Sequence, residues 1–432
     1  MTAEKCTASW RESEPRLSDV IAKYPDMPPL VILKTDVQRR GVTLSEAAVR
    51  ALDPERDDVH HRGLNAENRG LLPNGLLLRD GTSILCNITA AESGVSSMYA
   101  AVPEHFRRFR EPYTVDVVNG KTTLFDEGVA IEEAGYWPKP AFSDKLTSKG
   151  TPMWQVLIAR PQRMDINIYQ NCDFWKEPGM GCKFCVVGAM FHQNKAEKSE
   201  FVDYDDVEEA VAEALKQPGR FRMIQLCSGT LLGGDELLDR EVDCYAEMLR
   251  RIGKHFDEEK VATQIVATAF NERQLRRLHD ETILASYTTD IEVLDENVFN
   301  WVCAGKAKHI GYRAWKERLY KAAEIFGPNR VDTGIVSGVE LAEPHGFRSE
   351  EEALEKCLSE AEDLAQHGVG VAQTVFHAEP GSVFFKQKTA SLDYFVAFMQ
   401  GLERLRQKYN LSYYYDDYRT CGNHPNTDLN RI

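Results

Sequence analysis

Nothing in these 432 residues approaches the ~20 consecutive apolar residues that cross a bilayer, and the opening Met-Thr-Ala-Glu-Lys-Cys-Thr-Ala-Ser-Trp lacks the apolar core of a signal peptide. No membrane role and a cytoplasmic location are therefore expected. Positive charge is also in short supply: 52 Lys and Arg stand against 67 Asp and Glu, for a net charge of −15 and a pI near 5.3. A nucleic-acid binder needs a basic footprint, so nucleic acid is not an expected partner, and the local run Arg107-Arg108-Phe-Arg110 reads as a solvated face. Cysteine is too thinly spread for a disulfide scaffold, with ten residues of which Cys6, Cys86, Cys227, Cys244, Cys303, Cys357 and Cys421 are scattered. In a reducing compartment such residues read as small buried hydrophobes. What remains, 43% hydrophobic and 28% charged, is the composition of a soluble globular chain long enough for two domains or one large α/β domain with an extension.

The other three cysteines are clustered. Cys172, Cys182 and Cys185 follow an alternating run, Met164-Asp-Ile-Asn-Ile-Tyr-Gln170, that reads as a strand. Thiolates are soft ligands suited to zinc or to iron–sulfur clusters, and a loop leaving a strand end can wrap three of them around one centre. Closed structural zinc sites take four protein ligands, and His192, seven residues past Cys185, would complete a Cys3His set. A cubane cluster on three cysteines instead leaves one iron open to a small molecule. Both readings stand on these residues alone.

Around the cysteines the chain changes rhythm. Residues 1–155 read as an α+β extension: Leu30-Val-Ile-Leu33 is an apolar core segment, Thr43-Leu-Ser-Glu46 a capping box, Gly70–Gly75 and Asp80-Gly81 turns, Ser83–Cys86 a short strand, and Tyr113–Val118 with Thr122–Phe125 a hairpin turning at Asn119-Gly120. Turn residues cluster from Pro138 to Gly150. From there to about residue 390, strands at 164–170, 223–226, 260–266, 283–293, 331–336 and 369–376 alternate with helices at 204–216, 237–255, near 272–278, at 312–326, 350–366 and 392–409. Such alternation predicts parallel βαβ units with right-handed crossovers, hence an α/β fold with a partial (β/α)6 TIM-like barrel over 156–390 and functional residues in the loops after the strands. Residues 391–432 form a closing helix and an aromatic tail, Leu411–Tyr418, that covers one end.

With an aromatic residue, Phe184, between the last two cysteines, this loop resembles that of the radical S-adenosylmethionine superfamily, although its nine-then-two spacing departs from the commoner three-then-two. The resemblance covers roughly residues 160–390 and is closest in style to the biotin synthase and lipoyl synthase branch. It implies a [4Fe–4S] cluster on Cys172, Cys182 and Cys185 whose open iron takes the amino and carboxylate groups of S-adenosylmethionine. It also implies that Ser228-Gly229-Thr230, after the second strand, meets the amino group, that Glu292 meets the ribose hydroxyls, and that Arg318 meets the methionine carboxylate. Gly338, in the glycine-spaced fifth strand, would lie by the adenine. Glu340 and His377 are weaker candidates for proton chemistry. The activity implied is reductive cleavage of S-adenosylmethionine to a deoxyadenosyl radical that abstracts hydrogen from a small-molecule substrate, with a ferredoxin- or flavodoxin-like electron donor. Sulfur or methyl transfer by the same chemistry, a zinc-stabilised binding protein, and an ordinary barrel lyase or aldolase are the alternatives the residues leave open.

Overall fold

The structure is a computed structural model that describes residues 14–52, 75–85, 88–90, 111–189, 199–258, 261–378, 381–413, 417 and 419–430. The basic run at 107–110, His192, Cys6, Cys86 and most of the first turn at 70–75 lie outside them.

Two seven-stranded sheets organise the chain. The first uses β1 (Val42–Leu44), β2 (Gly75–Leu78), β3 (Ser83–Leu85), β4 (Ile88–Ala90), β5 (Tyr113–Val118), β6 (Lys121–Asp126) and β7 (Val129–Gly135), in the order β3-β2-β7-β6-β5-β1-β4. The expected hairpin is present: Val118 pairs with Lys121, and Asn119 and Gly120 both take positive φ, 53° and 78°, as a two-residue turn between right-twisted strands requires. The capping box is displaced. Thr43 and Leu44 belong to β1, and the hydroxyl that accepts from the Ala48 N–H is that of Ser45.

In the second sheet β8 (Ile158–Ala159) pairs antiparallel with β9 (Arg163–Asn167), and β10 (Met223–Cys227), β11 (Thr263–Val266), β12 (Ser286–Thr288), β13 (Val331–Ser337) and β14 (Gly370–Val375) follow in sequence order, each parallel to the last. This is the partial (β/α)6 barrel the sequence predicts. The fourth strand is shorter than the expected 283–293. Beyond Thr288 the Asp290 carboxylate takes the Gly334 N–H at 2.8 Å and Glu292 adopts φ +69°, so only a bridge from Glu292 to Ile335 continues the pairing.

Strand alternation gives the sheet two unlike faces. Met164, Ile166, Ile224, Leu226, Ile265, Tyr287, Ile335, Val371 and Val375 join the helices in one buried core. The opposite, inner face is polar. Arg163 holds Asp165 at 2.6 Å, Gln225 donates to Gln264 at 2.9 Å, Gln264 to Thr288 at 2.9 Å, and Thr288 to Asp332, which makes a satisfied floor. One step toward the strand ends, Asn167, Cys227, Val266, Val336 and Thr374 are half-buried although the rest of each strand is buried. A chamber therefore opens at that end.

An open barrel leaves β14 as an edge with unpaired backbone groups, a liability for pairing with other chains. The tail residues supply the missing neighbour. The Asn426 side chain accepts from the Gln373 N–H and donates to the Val371 carbonyl, both at 2.8 Å, and the Tyr413 hydroxyl donates to the same carbonyl at 2.9 Å. Beneath them the helix Pro29–Arg40 sends Lys34 to Asp428 at 2.7 Å with both side chains fully buried, and Val31 and Ile32 pack on Leu392, Val396 and Met399 of the helix Leu392–Lys408. The extension, the closing helix and the tail thus meet at the barrel's open edge. Asn426→Ala leaves the buried Gln373 N–H short of a partner, while the Val371 carbonyl keeps the Tyr413 hydroxyl, and is expected to lower unfolding free energy in urea by about 1–3 kcal/mol; a midpoint equal to wild type would show that the edge is satisfied without it.

Candidate metal and cofactor site

The cysteine loop starts at the end of β9 and is fastened before its first thiol does anything. Tyr169 donates its hydroxyl to Asp173 at 2.8 Å, the Asp173 N–H goes to the Thr230 carbonyl at 2.8 Å, and the second Asp173 oxygen takes the Leu232 N–H at 2.8 Å. Cys172 then caps a single 3-10 turn, Asp173–Lys176. The chain folds back around the Trp175 indole: a Cβ on Gly181 would come within 2.8 Å of the ring and one on Gly188 within 2.3 Å, so only glycine lets both strands of the loop clasp it. The far side is tied to two short helices, Glu296–Val302 and Ala304–His309, through Lys183 N–H to Val302 O at 3.0 Å and Gly305 N–H to Met180 O at 2.9 Å. Phe384 N–H to Lys183 O at 2.9 Å adds the loop after β14.

Held this way, the three thiols share one environment. Burial pushes Cys172 up to about 11, with Cys182 adding to the shift, and burial pushes Cys185 up to about 12, with Cys182 and Cys172 adding to it. Cys182 lies well above the ordinary thiol range because Cys303 bonds to it and because it is buried, while the Lys306 ammonium works in the other direction. All three remain partly accessible and free of disulfides. Cys303 and Lys306 are functional neighbours that the sequence gives no sign of, since the helix pair carrying them is far along the chain and reaches the loop only through the tertiary fold. Lys306 is buried, donating to Glu292 at 2.7 Å and to the Asp290 carbonyl at 2.5 Å, with its ammonium 4.7 Å from the Trp315 ring centroid.

The other expected residues divide. Glu292 is at the site: burial raises its carboxyl to about 7 against the pull of Lys306, and its charge is felt by Cys182 and Cys185. Gly229 packs directly on the loop, where a Cβ would stand 2.0 Å from the Asn171 carbonyl oxygen and 2.7 Å from Cys172 Cβ. Its N–H already bonds Tyr169 O at 3.2 Å and Thr230 O already takes the Asp173 N–H, so the Ser228–Thr230 segment docks the cysteine loop with part of its backbone. The side chains face support partners: Ser228 pairs with Tyr245 at 2.9 Å and Thr230 with Thr268 at 2.8 Å. Phe184 packs on the barrel core. Arg318 donates to the Ala269 carbonyl at 2.7 Å, in the loop after β11. Gly338 has φ +101° and its missing Cβ would face Phe376 and Phe395 at 3.3 Å. Glu340 is 2% exposed and accepts from the Gly338 N–H at 2.9 Å and the Tyr394 hydroxyl, so it is committed inside the core. His377 stands two residues past the end of β14, after the buried Phe376. A further carboxylate that the sequence does not single out, Glu241, sits beneath the Ser228–Thr230 segment and accepts from Leu231 N–H at 3.0 Å and Thr268 N–H at 2.9 Å.

The donor set fits an iron–sulfur cluster with three protein ligands: three soft donors on one strapped loop, partly open to incoming ligand, beside a buried cation that offsets thiolate charge. Among the described residues, no three His, Cys, Asp or Glu side chains are gathered tightly enough to hold a single metal ion.

The chain matches no family model and no curated protein. Among solved structures it is similar to methylornithine synthase (PylB), at 13% identity over 58% of this chain and 69% of that one with a TM-score of 0.39. It is also similar to a radical SAM methyltransferase from Sphaerobacter thermophilus, at 12% identity over 68% and 75% with a TM-score of 0.39. Any functional reading of this chain therefore rests on its own residues.

Two consequences of this geometry are measurable. Gly229→Ala drives a methyl into backbone and is expected to cost at least about 1–3 kcal/mol while speeding alkylation of Cys172; unchanged stability and labelling would mean that the strand end and the cysteine loop are not in contact. Burial raises Glu241 to about 7 from 4.5, so the folded state binds more protons than the unfolded one between these values. Stability from this group is full below about 4.5 and falls as pH rises through about 7, by up to roughly 3 kcal/mol. Glu241→Gln should flatten that part of the stability–pH curve, and a curve parallel to wild type would assign the slope elsewhere.

Proposed function

We propose that this chain is a radical S-adenosylmethionine enzyme in which Cys172, Cys182 and Cys185 hold a [4Fe–4S] cluster. The observation that carries the reading is the place of the three thiols. They stand in one strapped loop at the strand-end mouth of a partial barrel, against the Ser228–Thr230 segment and the Glu292–Lys306 pair, and over a chamber ringed by Asn167, Cys227, Val266, Val336 and Thr374.

When bound, the cluster and S-adenosylmethionine supply the electron transfer and the deoxyadenosyl radical that takes a hydrogen atom from substrate. The protein's contribution is binding, orientation and electrostatics. Three thiols give up their protons as they take up metal, and the Lys306 ammonium beside Cys182 favours that loss. The Glu292 carboxylate, with one oxygen fixed by Lys306, offers the other to a hydroxyl-bearing ligand. Ser228, Gly229 and Thr230 border the cluster loop, where their remaining backbone groups suit an ammonium or a carboxylate. Arg318 is placed to serve a carboxylate from the β11 side. Phe184, Gly338 and the weaker candidate His377 complete the cofactor side in this reading, and Glu340 is left a structural role by its bonds to Tyr394 and Gly338. A ferredoxin- or flavodoxin-like protein supplies the electron, the substrate is a small molecule bound in the chamber, and the enzyme works in the cytoplasm. Among the described residues no helix is long and apolar enough to cross a membrane.

The test is anaerobic reconstitution with iron and sulfide, reduction with dithionite, and assay for deoxyadenosine after adding S-adenosylmethionine. Wild type is expected to give product and Cys182→Ala none. A colourless wild type with one zinc per chain and no deoxyadenosine would sink the reading.

A further inference from the structure

A fourth thiol stands at the cysteine loop. Cys303 is buried at the junction of the helices Glu296–Val302 and Ala304–His309, where its N–H donates to Phe299 O at 2.8 Å and its carbonyl accepts from Ala307 N–H at 2.9 Å. Its backbone is thereby fixed. The same junction meets the cysteine loop through two hydrogen bonds that bracket one pair of residues: Lys183 N–H to Val302 O at 3.0 Å and Gly305 N–H to Met180 O at 2.9 Å. These register Cys303 opposite Cys182. Gly305 permits the close approach, since a Cβ there would meet Phe174 at 2.6 Å and Met180 O at 2.7 Å. A small buried thiol that merely filled space would have no need of such registration.

Resting on the functional reading above, we propose that Cys303 is a positioning residue for the cluster: its S–H is donated to the Sγ of Cys182, fixing that ligand and raising the cluster's reduction potential. The physical reason is general. Hydrogen bonds to cluster sulfurs are among the determinants of potential, because a donor stabilises the extra negative charge of the reduced state more than that of the oxidised state.

The experiment compares wild type, Cys303→Ala and Cys303→Ser after anaerobic reconstitution, following the reduced cluster by electron paramagnetic resonance across a potential titration. Cys303→Ala is expected to reduce at lower potential, with a reduced-to-oxidised ratio several-fold smaller at a fixed poise; tenfold would correspond to about 59 mV for one electron. Serine keeps a donor and should return the titration toward wild type. Equal potentials in wild type and Cys303→Ala overturn the proposal, as does a Cys303→Ser curve that follows the alanine variant. A second readout needs neither variant nor cluster. Apo wild type is treated with oxidised glutathione, which takes the two electrons of a new protein disulfide and leaves as two glutathione thiols. Peptide mapping should find Cys182 joined to Cys303, and a Cys182 bridge only to Cys172 or Cys185 would overturn the pairing. A wild type that builds no cluster sinks the functional reading and the tuning role with it, even where the Cys182–Cys303 bridge maps as expected.

Discussion

Three thiols confined to one partly buried loop depend on something to take their charge. Burial and the neighbouring thiols push all three above the ordinary thiol range, so the loop disfavours bare thiolates. Its shape has to be imposed from outside the ligand set. That work falls to Asp173, which is bonded by Tyr169 and Leu232 and reaches Thr230 through its own N–H, to the Trp175 indole clasped between two glycines, and to the backbone bonds from the helix pair at 296–309. Lys306, the buried cation beside Cys182, is paired with Glu292 at 2.7 Å, so its pull on the thiol is shared with a carboxylate.

The same economy of outside support explains why the extension and tail are part of the barrel rather than appendages to it. A six-stranded half barrel must end somewhere, and its last strand would present a row of free amides. Here a side-chain amide and a phenol do the work of one more strand, and the helix Pro29–Arg40 wedges beneath them with a fully buried Lys34–Asp428 pair. Two charges taken out of water are costly unless well matched, so this contact discriminates strongly between the correct docking of tail and extension and any other. It also ties the first sheet to the barrel through the same helix, whose Arg40 reaches Asp126 of β6 at 2.5 Å.

What the sequence made legible follows the range of the forces involved. Period-two and period-3.6 patterns located the six parallel strands and their helices, and Asn119-Gly120 announced its hairpin, because those signals are local. The fourth strand was overextended because Ile291, Val293 and Leu294 look like strand residues while pairing is ended by a carboxylate 44 positions from the amide it captures. Cysteine spacing singled out Cys172, Cys182 and Cys185 but was silent about Cys303, which only folding brings to their loop. Glu340, only a weaker candidate in the sequence, is bonded in the core by Tyr394, a partner 54 residues away. No pattern within one stretch of chain carries that information.

The inner face of the barrel adds a constraint on what can be bound there. A barrel interior is ordinarily filled by branched apolar side chains, yet here the floor is a chain of hydrogen bonds through Gln225, Gln264, Thr288 and Asp332, and the ring above it mixes an amide, a thiol and a hydroxyl with two valines. Polar groups at such positions cost stability unless satisfied. The floor satisfies its own; the ring is satisfied in part, with the Cys227 thiol on the Asn167 oxygen at 2.6 Å and the Thr374 hydroxyl accepting from Asn423 at 3.3 Å. A long alkyl chain entering this chamber would strip water from these groups and return nothing.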